Sequence, residues 1–122
     1  MSKPISGAKL LLVVDDWEAL ERYEDRLAPH FAATEAWPLG SEGLKRATEE
    51  AFDLILIDLT LEDLSPAEAE ARLKSHPALG QPRVIYVGEP AELASIPGGG
   101  CVFKVLRPFG WAELEEKVLG CL

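Results

Sequence analysis

The chain is short of basic residues, histidine, sulfur and long apolar runs. Its 122 residues hold 12 Lys plus Arg against 21 Asp plus Glu, with two His, two Cys and one Met. A formal charge of −9 argues against non-specific nucleic-acid binding, which needs a basic face to displace counterions. It also disfavours anionic membrane surfaces. No apolar run approaches the ~18 residues of a membrane span, and Leu10 to Val14 is too short for the core of a secretory leader. The expected location is therefore cytoplasmic. Cys101 and Cys121 form no CxxC pair and share no metal-like spacing with His30 or His76, so both are expected as reduced thiols. What is present, 48% apolar and 27% charged residues, is the balance of a globular protein. The length fits one domain over residues 1–122.

Five short apolar runs stand out: Leu10 to Val14, Phe31 to Trp37, Leu54 to Ile57, Val84 to Val87 and Cys101 to Leu106. Several are continuous rather than alternating, as parallel strands covered on both faces should be. Segments of helical period lie between them. Trp17, Leu20, Tyr23 and Leu27 form a stripe ended by Pro29. Ser41 is placed to cap a second helix with Leu44, Ala47 and Ala51 inward. Ser65-Pro66-Ala67-Glu68 reads as a capping box with proline at the first helical position, and opens a third helix closed by His76-Pro77. Trp111, Leu114 and Val118 mark the last. Between Pro90 and Pro97 at most one or two helical turns fit. Gly98-Gly99-Gly100 lacks the Gly-Lys-Ser/Thr of a phosphate loop and reads as a turn into a strand.

Strands alternating with helices predict an α/β doubly wound parallel sheet. Five strands suit the flavodoxin-like order 2-1-3-4-5, here with a shortened fourth helix. Ligands of such sheets bind beyond the carboxyl ends of the strands. The first run stops at Asp15-Asp16 and the third at Asp58, so three carboxylates are expected on one sheet edge. Like charges this close repel unless a cation neutralises them. Mg²⁺ suits such oxygen ligands. Either Asp15 or Asp16 can instead cap the helix beginning at Trp17, but capping leaves Asp58 unexplained. The fifth run ends in Leu106-Arg107-Pro108-Phe109 and brings a fixed positive charge to the same edge.

Val13-Val14-Asp15-Asp16, Leu54-Ile-Leu-Ile-Asp58-Leu-Thr-Leu61 and Gly100-Cys-Val-Phe-Lys-Val-Leu-Arg-Pro-Phe109, in that order, resemble the receiver domain of two-component response regulators over the whole chain. The resemblance implies that Asp58 accepts a phosphoryl group from a histidine kinase or phosphotransfer protein. Asp16 and Asp58 would hold Mg²⁺ directly, Asp15 mostly through water, and the backbone carbonyl of Thr60 would be a further ligand. It implies an atypical, stand-alone phosphoacceptor that signals by contact with a downstream protein, not a turnover enzyme.

Several positions depart from the family pattern. Gly88 stands where a Ser or Thr hydroxyl meets the phosphoryl group, Arg107 replaces a lysine, and Lys104 replaces an aromatic switch residue. Glu62 takes the place of a proline and Pro66 that of a glycine. Without the hydroxyl and the aromatic, the last helix, Trp111 to Leu119, and residues 99–104 are expected to respond little when Asp58 is modified. A pseudo-receiver, a binding module independent of phosphorylation, is the alternative. A haloacid-dehalogenase-type phosphatase would need a second acid where Thr60 stands. A flavodoxin would need a phosphate loop where Asp15-Asp16-Trp17 stands.

Overall fold

The computed structural model describes residues 5–59, 61–76, 79–80, 82–96 and 102–120, with side chains from residue 8 onward. Five strands, β1 (Ile5–Val13), β2 (Phe31–Trp37), β3 (Leu54–Asp58), β4 (Arg83–Gly88) and β5 (Val102–Leu106), form one sheet in the order β2-β1-β3-β4-β5. Every pairing is parallel. The helices are α1 (Trp17–Leu27), α2 (Gly40–Glu49), α3 (Pro66–Ser75), α4 (Pro90–Ala94) and α5 (Trp111–Gly120), and a 3-10 turn covers Ala28–His30. The expected order and the short fourth helix are both present.

Side chains alternate across the sheet, and each face builds its own core. Leu10, Leu12, Leu54, Leu56, Ile85 and Val87 pack with Leu20, Tyr23 and Leu27 of α1 and with Leu114 and Val118 of α5. On the other face Leu11, Val13, Ile55, Ile57, Val84 and Tyr86 pack with Leu44 and Ala47 of α2, Ala69 of α3 and Leu93 of α4. Burial on both sides is why these strands read as unbroken apolar runs. Each fully buried Leu or Ile contributes about 1.5–3 kcal/mol relative to exposure. At Gly43 a Cβ would lie 2.7 Å from Val13 Cγ2, so glycine lets α2 sit close on β1.

Three local expectations change. Trp17 is 64% exposed, because it is the first residue of α1 and lies at the open end of the sheet. Ala51 is exposed and lies beyond α2, which stops at Glu49. Ser41 does not cap α2: the helix begins at Gly40 behind Leu39, whose side chain makes no capping bond. Asp63, from the β3–α3 connection, caps it from outside. It accepts from the N–H groups of Gly40 and Ser41, both at 2.9 Å. The Ser65–Glu68 capping box of α3 is formed on both sides.

Burial raises the Asp63 carboxyl, but the bonds from Ser41 and Gly40 outweigh it and hold the group below the usual aspartate range. A depressed folded value means that the stabilisation is full above the unfolded aspartate value of about 3.9. It fades as pH falls from there through the folded value. Asp63→Ala is expected to destabilise the domain by about 1 kcal/mol at neutral pH, as loss of a helix cap does. In urea unfolding this deficit should shrink in acid; a deficit that is the same at every pH would exclude the charged cap.

Candidate functional site at the carboxyl edge of the sheet

Asp58 ends β3 at 5% exposure and is the one buried charged residue among the described residues. A carboxylate taken from water needs compensating bonds, and two other elements supply them. Arg107 Nη2 donates to Asp58 Oδ1 at 2.6 Å, and the Tyr23 hydroxyl donates to Asp58 Oδ2 at 2.9 Å. Arg107 follows β5, and its backbone N–H donates to the Gly88 carbonyl at 3.0 Å, which seats the residue against the end of β4. Its Nη2 also reaches the Val87 carbonyl at 3.3 Å. The Arg107 Nε is buried and has no hydrogen-bond partner among the described residues. Burial first, then the charge and hydrogen bond of Asp58, push the Tyr23 phenol above its ordinary range against the opposing pull of Arg107. Tyr23 is therefore a hydrogen-bond donor at any working pH.

The acidic pair leaves the same edge. β1 ends with Val13 opposite Ile57 of β3, so both strands deliver their carboxylates together. Asp15 Oδ2 accepts from the Glu62 N–H at 2.8 Å. Asp16 is the N-cap of α1 and accepts from the Glu18 N–H at 3.2 Å. The capping role weighed for this pair thus falls to Asp16. Asp15, Asp16, Asp58 and Arg107 line one open cleft of about 830 Å³, walled by Trp17, Tyr23, Phe109 and Trp111.

These oxygens are of the kind Mg²⁺ takes. Among the described residues no group of three or more His, Cys, Asp or Glu has an arrangement that holds a metal. Each carboxylate already has protein partners, a cation in the case of Asp58. Thr60, expected to add a carbonyl ligand, lies outside the described residues, as do Cys101, Cys121 and the three glycines at 98–100.

Gly88 ends β4, buried, and does not line the cleft. A Cβ there would lie 2.9 Å from Glu92 Oε1 and 3.2 Å from Leu59 Cδ1, so the space for a strand-4 hydroxyl is filled by neighbours. Lys104 is half-buried in β5, paired with Tyr86 of β4. Glu62 is exposed and serves through its backbone N–H, and Pro66 is the first residue of α3.

Sequence reasoning placed Tyr23 in a core stripe and missed its bond to Asp58. The available signal was a tyrosine at a fully buried helical position, whose hydroxyl must find a partner inside. It also missed the aromatic group that Tyr23 forms with Phe109 and Trp111.

No family model and no curated protein matches the sequence. Solved structures do. A response regulator receiver domain protein from Bacillus halodurans superposes with a TM-score of 0.80 at 19% identity, covering 98% of each chain. A receiver domain from Methylobacillus flagellatus gives 0.75 at 20%, over 94% of this chain and 98% of that one. The receiver domain of a sensor histidine kinase from Pseudomonas aeruginosa, with a magnesium ion coordinated in its active-site cleft, gives 0.77 at 20%, over 94% and 97%. The chain has the fold of response-regulator receiver domains.

Proposed function

We propose that this chain is the phosphoacceptor receiver of a two-component phosphorelay. It takes a phosphoryl group from a histidine kinase or phosphotransfer protein onto Asp58 and signals by contact with another protein. The observation that carries this reading is Asp58: a buried carboxylate at the end of the central strand, held by Arg107, on a cleft it shares with Asp15 and Asp16. An Asp58 oxygen attacks the phosphorus of a phosphohistidine. The P–O bond forms, the P–N bond breaks, and the departing imidazole nitrogen takes up a proton from solvent water. Arg107 sets a permanent positive charge beside the transferred oxygens. The chain is read as an acceptor and not as a turnover enzyme. A charge of −9 favours a protein partner in the cytoplasm over nucleic acid or a membrane. No helix among the described residues is long and apolar enough to cross a membrane.

Mg²⁺ belongs to the same proposal. Asp15 and Asp16 would hold it, with the Thr60 carbonyl and one oxygen of Asp58, and when bound it would neutralise phosphoryl oxygens. Arg107 already places a positive charge against Asp58, so it competes electrostatically with the ion. The Arg107–Asp58 pair and the missing strand-4 hydroxyl at Gly88 also favour the second reading, a pseudo-receiver whose acceptor is permanently neutralised.

Intact-mass spectrometry after acetyl phosphate and Mg²⁺ separates the two. One phosphoryl adduct is expected on wild type and none on Asp58→Asn, since an amide is no nucleophile for this transfer. An unmodified wild type would select the pseudo-receiver.

Calorimetry tests the competition. Removing Arg107 leaves negative charge uncompensated, so Arg107→Ala is expected to bind Mg²⁺ about tenfold more tightly, a gain of about 1.4 kcal/mol. Asp16→Asn should bind it more weakly than wild type. Tighter binding by wild type than by Arg107→Ala would contradict the arrangement.

A further inference from the structure

Tyr23 touches two things at once. Its hydroxyl donates to Asp58 Oδ2 at 2.9 Å. Its ring lies edge-on to Trp111, the first residue of α5, with centroids 5.2 Å apart at 77°. Phe109, in the connection from β5 to α5, closes the group: its centroid lies 6.2 Å from Tyr23 and 5.1 Å from Trp111. Tyr23 itself is 1% exposed.

A phenol is rigid, so its hydroxyl cannot be displaced without carrying the ring. A buried hydroxyl that loses its acceptor also bears a desolvation cost, so it follows the acceptor or rearranges. The edge-to-face contact with Trp111 is directional and senses either response. The bonds of Asp58 to Arg107 and to Tyr23 use one carboxylate oxygen each. Any change that esterifies or neutralises this carboxylate therefore disturbs at least one of them.

We propose that Tyr23 is a positioning residue that couples the state of Asp58 to the start of α5 through Trp111. The proposal deepens the phosphoacceptor reading, from which it takes Asp58 as the group that changes state. It also revises the expectation that the last helix stays insulated. The family pattern's switch hydroxyl and aromatic fall on Gly88 and Lys104, and here a different pair of side chains, Tyr23 on α1 and Trp111 on α5, links Asp58 to the last helix. α1 is tied to α5 a second time by Arg26 and Glu115 at 3.0 Å, so displacement of the Tyr23 ring acts between two helices already joined.

A competing route runs along the chain itself, from Arg107 through Pro108 to Phe109. The experiment must therefore distinguish Tyr23 from Arg107. The protein has three tryptophans, whose indole N–H signals are resolved by NMR and assigned by single Trp→Phe variants. The first arm uses no phosphoryl mimic. Asp58→Ala should shift the Trp111 indole in the wild-type background and in Arg107→Ala. In the Tyr23→Phe background the same substitution should leave it nearly still. A Trp111 shift that survives in Tyr23→Phe assigns the coupling to Arg107 and overturns the proposal.

The second arm adds beryllofluoride with Mg²⁺ and follows bound fluoride by ¹⁹F NMR. Bound fluoride with a moving Trp111 in wild type, and bound fluoride with a still Trp111 in Tyr23→Phe, is the expected result. Absence of bound fluoride in wild type counts against the phosphoacceptor reading alone, because the first arm stands without it. Should Tyr23→Phe not fold, ¹³C-labelled tyrosine rings decide the same question in wild type. The Tyr23 ring must then move with the same midpoint as Trp111 during the titration, and a silent Tyr23 beside a moving Trp111 refutes the coupling.

Discussion

The carboxylate of Asp58 is the constraint around which the site is arranged. It is buried at the end of β3, where an ionised group without partners would cost several kcal/mol. A positively charged partner and a neutral donor help to relieve that cost, and they come from distant parts of the chain. Arg107 arrives from β5 and Tyr23 from α1. Because both must reach the same carboxylate, the entry of β5 beside β4 and the rotation of α1 on the sheet are fixed together. The seating of the Arg107 backbone on Gly88 and the packing of Tyr23 against Phe109 and Trp111 are the visible consequences.

That arrangement explains why the substitutions at this edge are mutually consistent. A guanidinium is planar and delivers several donors at once, so Arg107 reaches Asp58 and the Val87 carbonyl together. At Gly88 a side chain would crowd the neighbouring Leu59 and Glu92. Glu92 is itself held there, since its Oε1 accepts from the Glu89 N–H at 2.7 Å. The short α4 and the absent hydroxyl thus belong to one local packing solution. The same edge keeps its two other carboxylates engaged with backbone N–H groups, which positions them at the cleft.

The acidic and aromatic parts of the cleft serve different ends. Asp15, Asp16 and Asp58 give the cleft its negative charge. Trp17, Phe109 and Trp111 form its apolar wall. Tyr23 belongs to both sets, being polar at its tip and apolar along its ring.

Much of this was legible in the sequence. Unbroken apolar runs such as Leu54 to Ile57 could only be strands covered on both faces, and the residues that stopped them, Asp15, Asp16, Asp58 and Arg107, were bound to gather on one edge. Strand order and the short fourth helix followed from the number and spacing of the runs. Periodicity assigns a residue to a face but not to an atom it will touch. Hence it put Tyr23 inside without showing that its hydroxyl meets a residue 35 positions away. It also set Trp17 inside, although the helix has not yet met the sheet there. The cap of α2 by Asp63 is 23 residues distant from Gly40, and local spacing proposed Ser41 in its place. Sequence by itself determined which groups reach the edge, because burial on both faces leaves a strand no other ends. Tertiary structure alone decided which groups pair there, because hydrogen bonds depend on ångström-scale placement of helices whose order along the chain carries no such information.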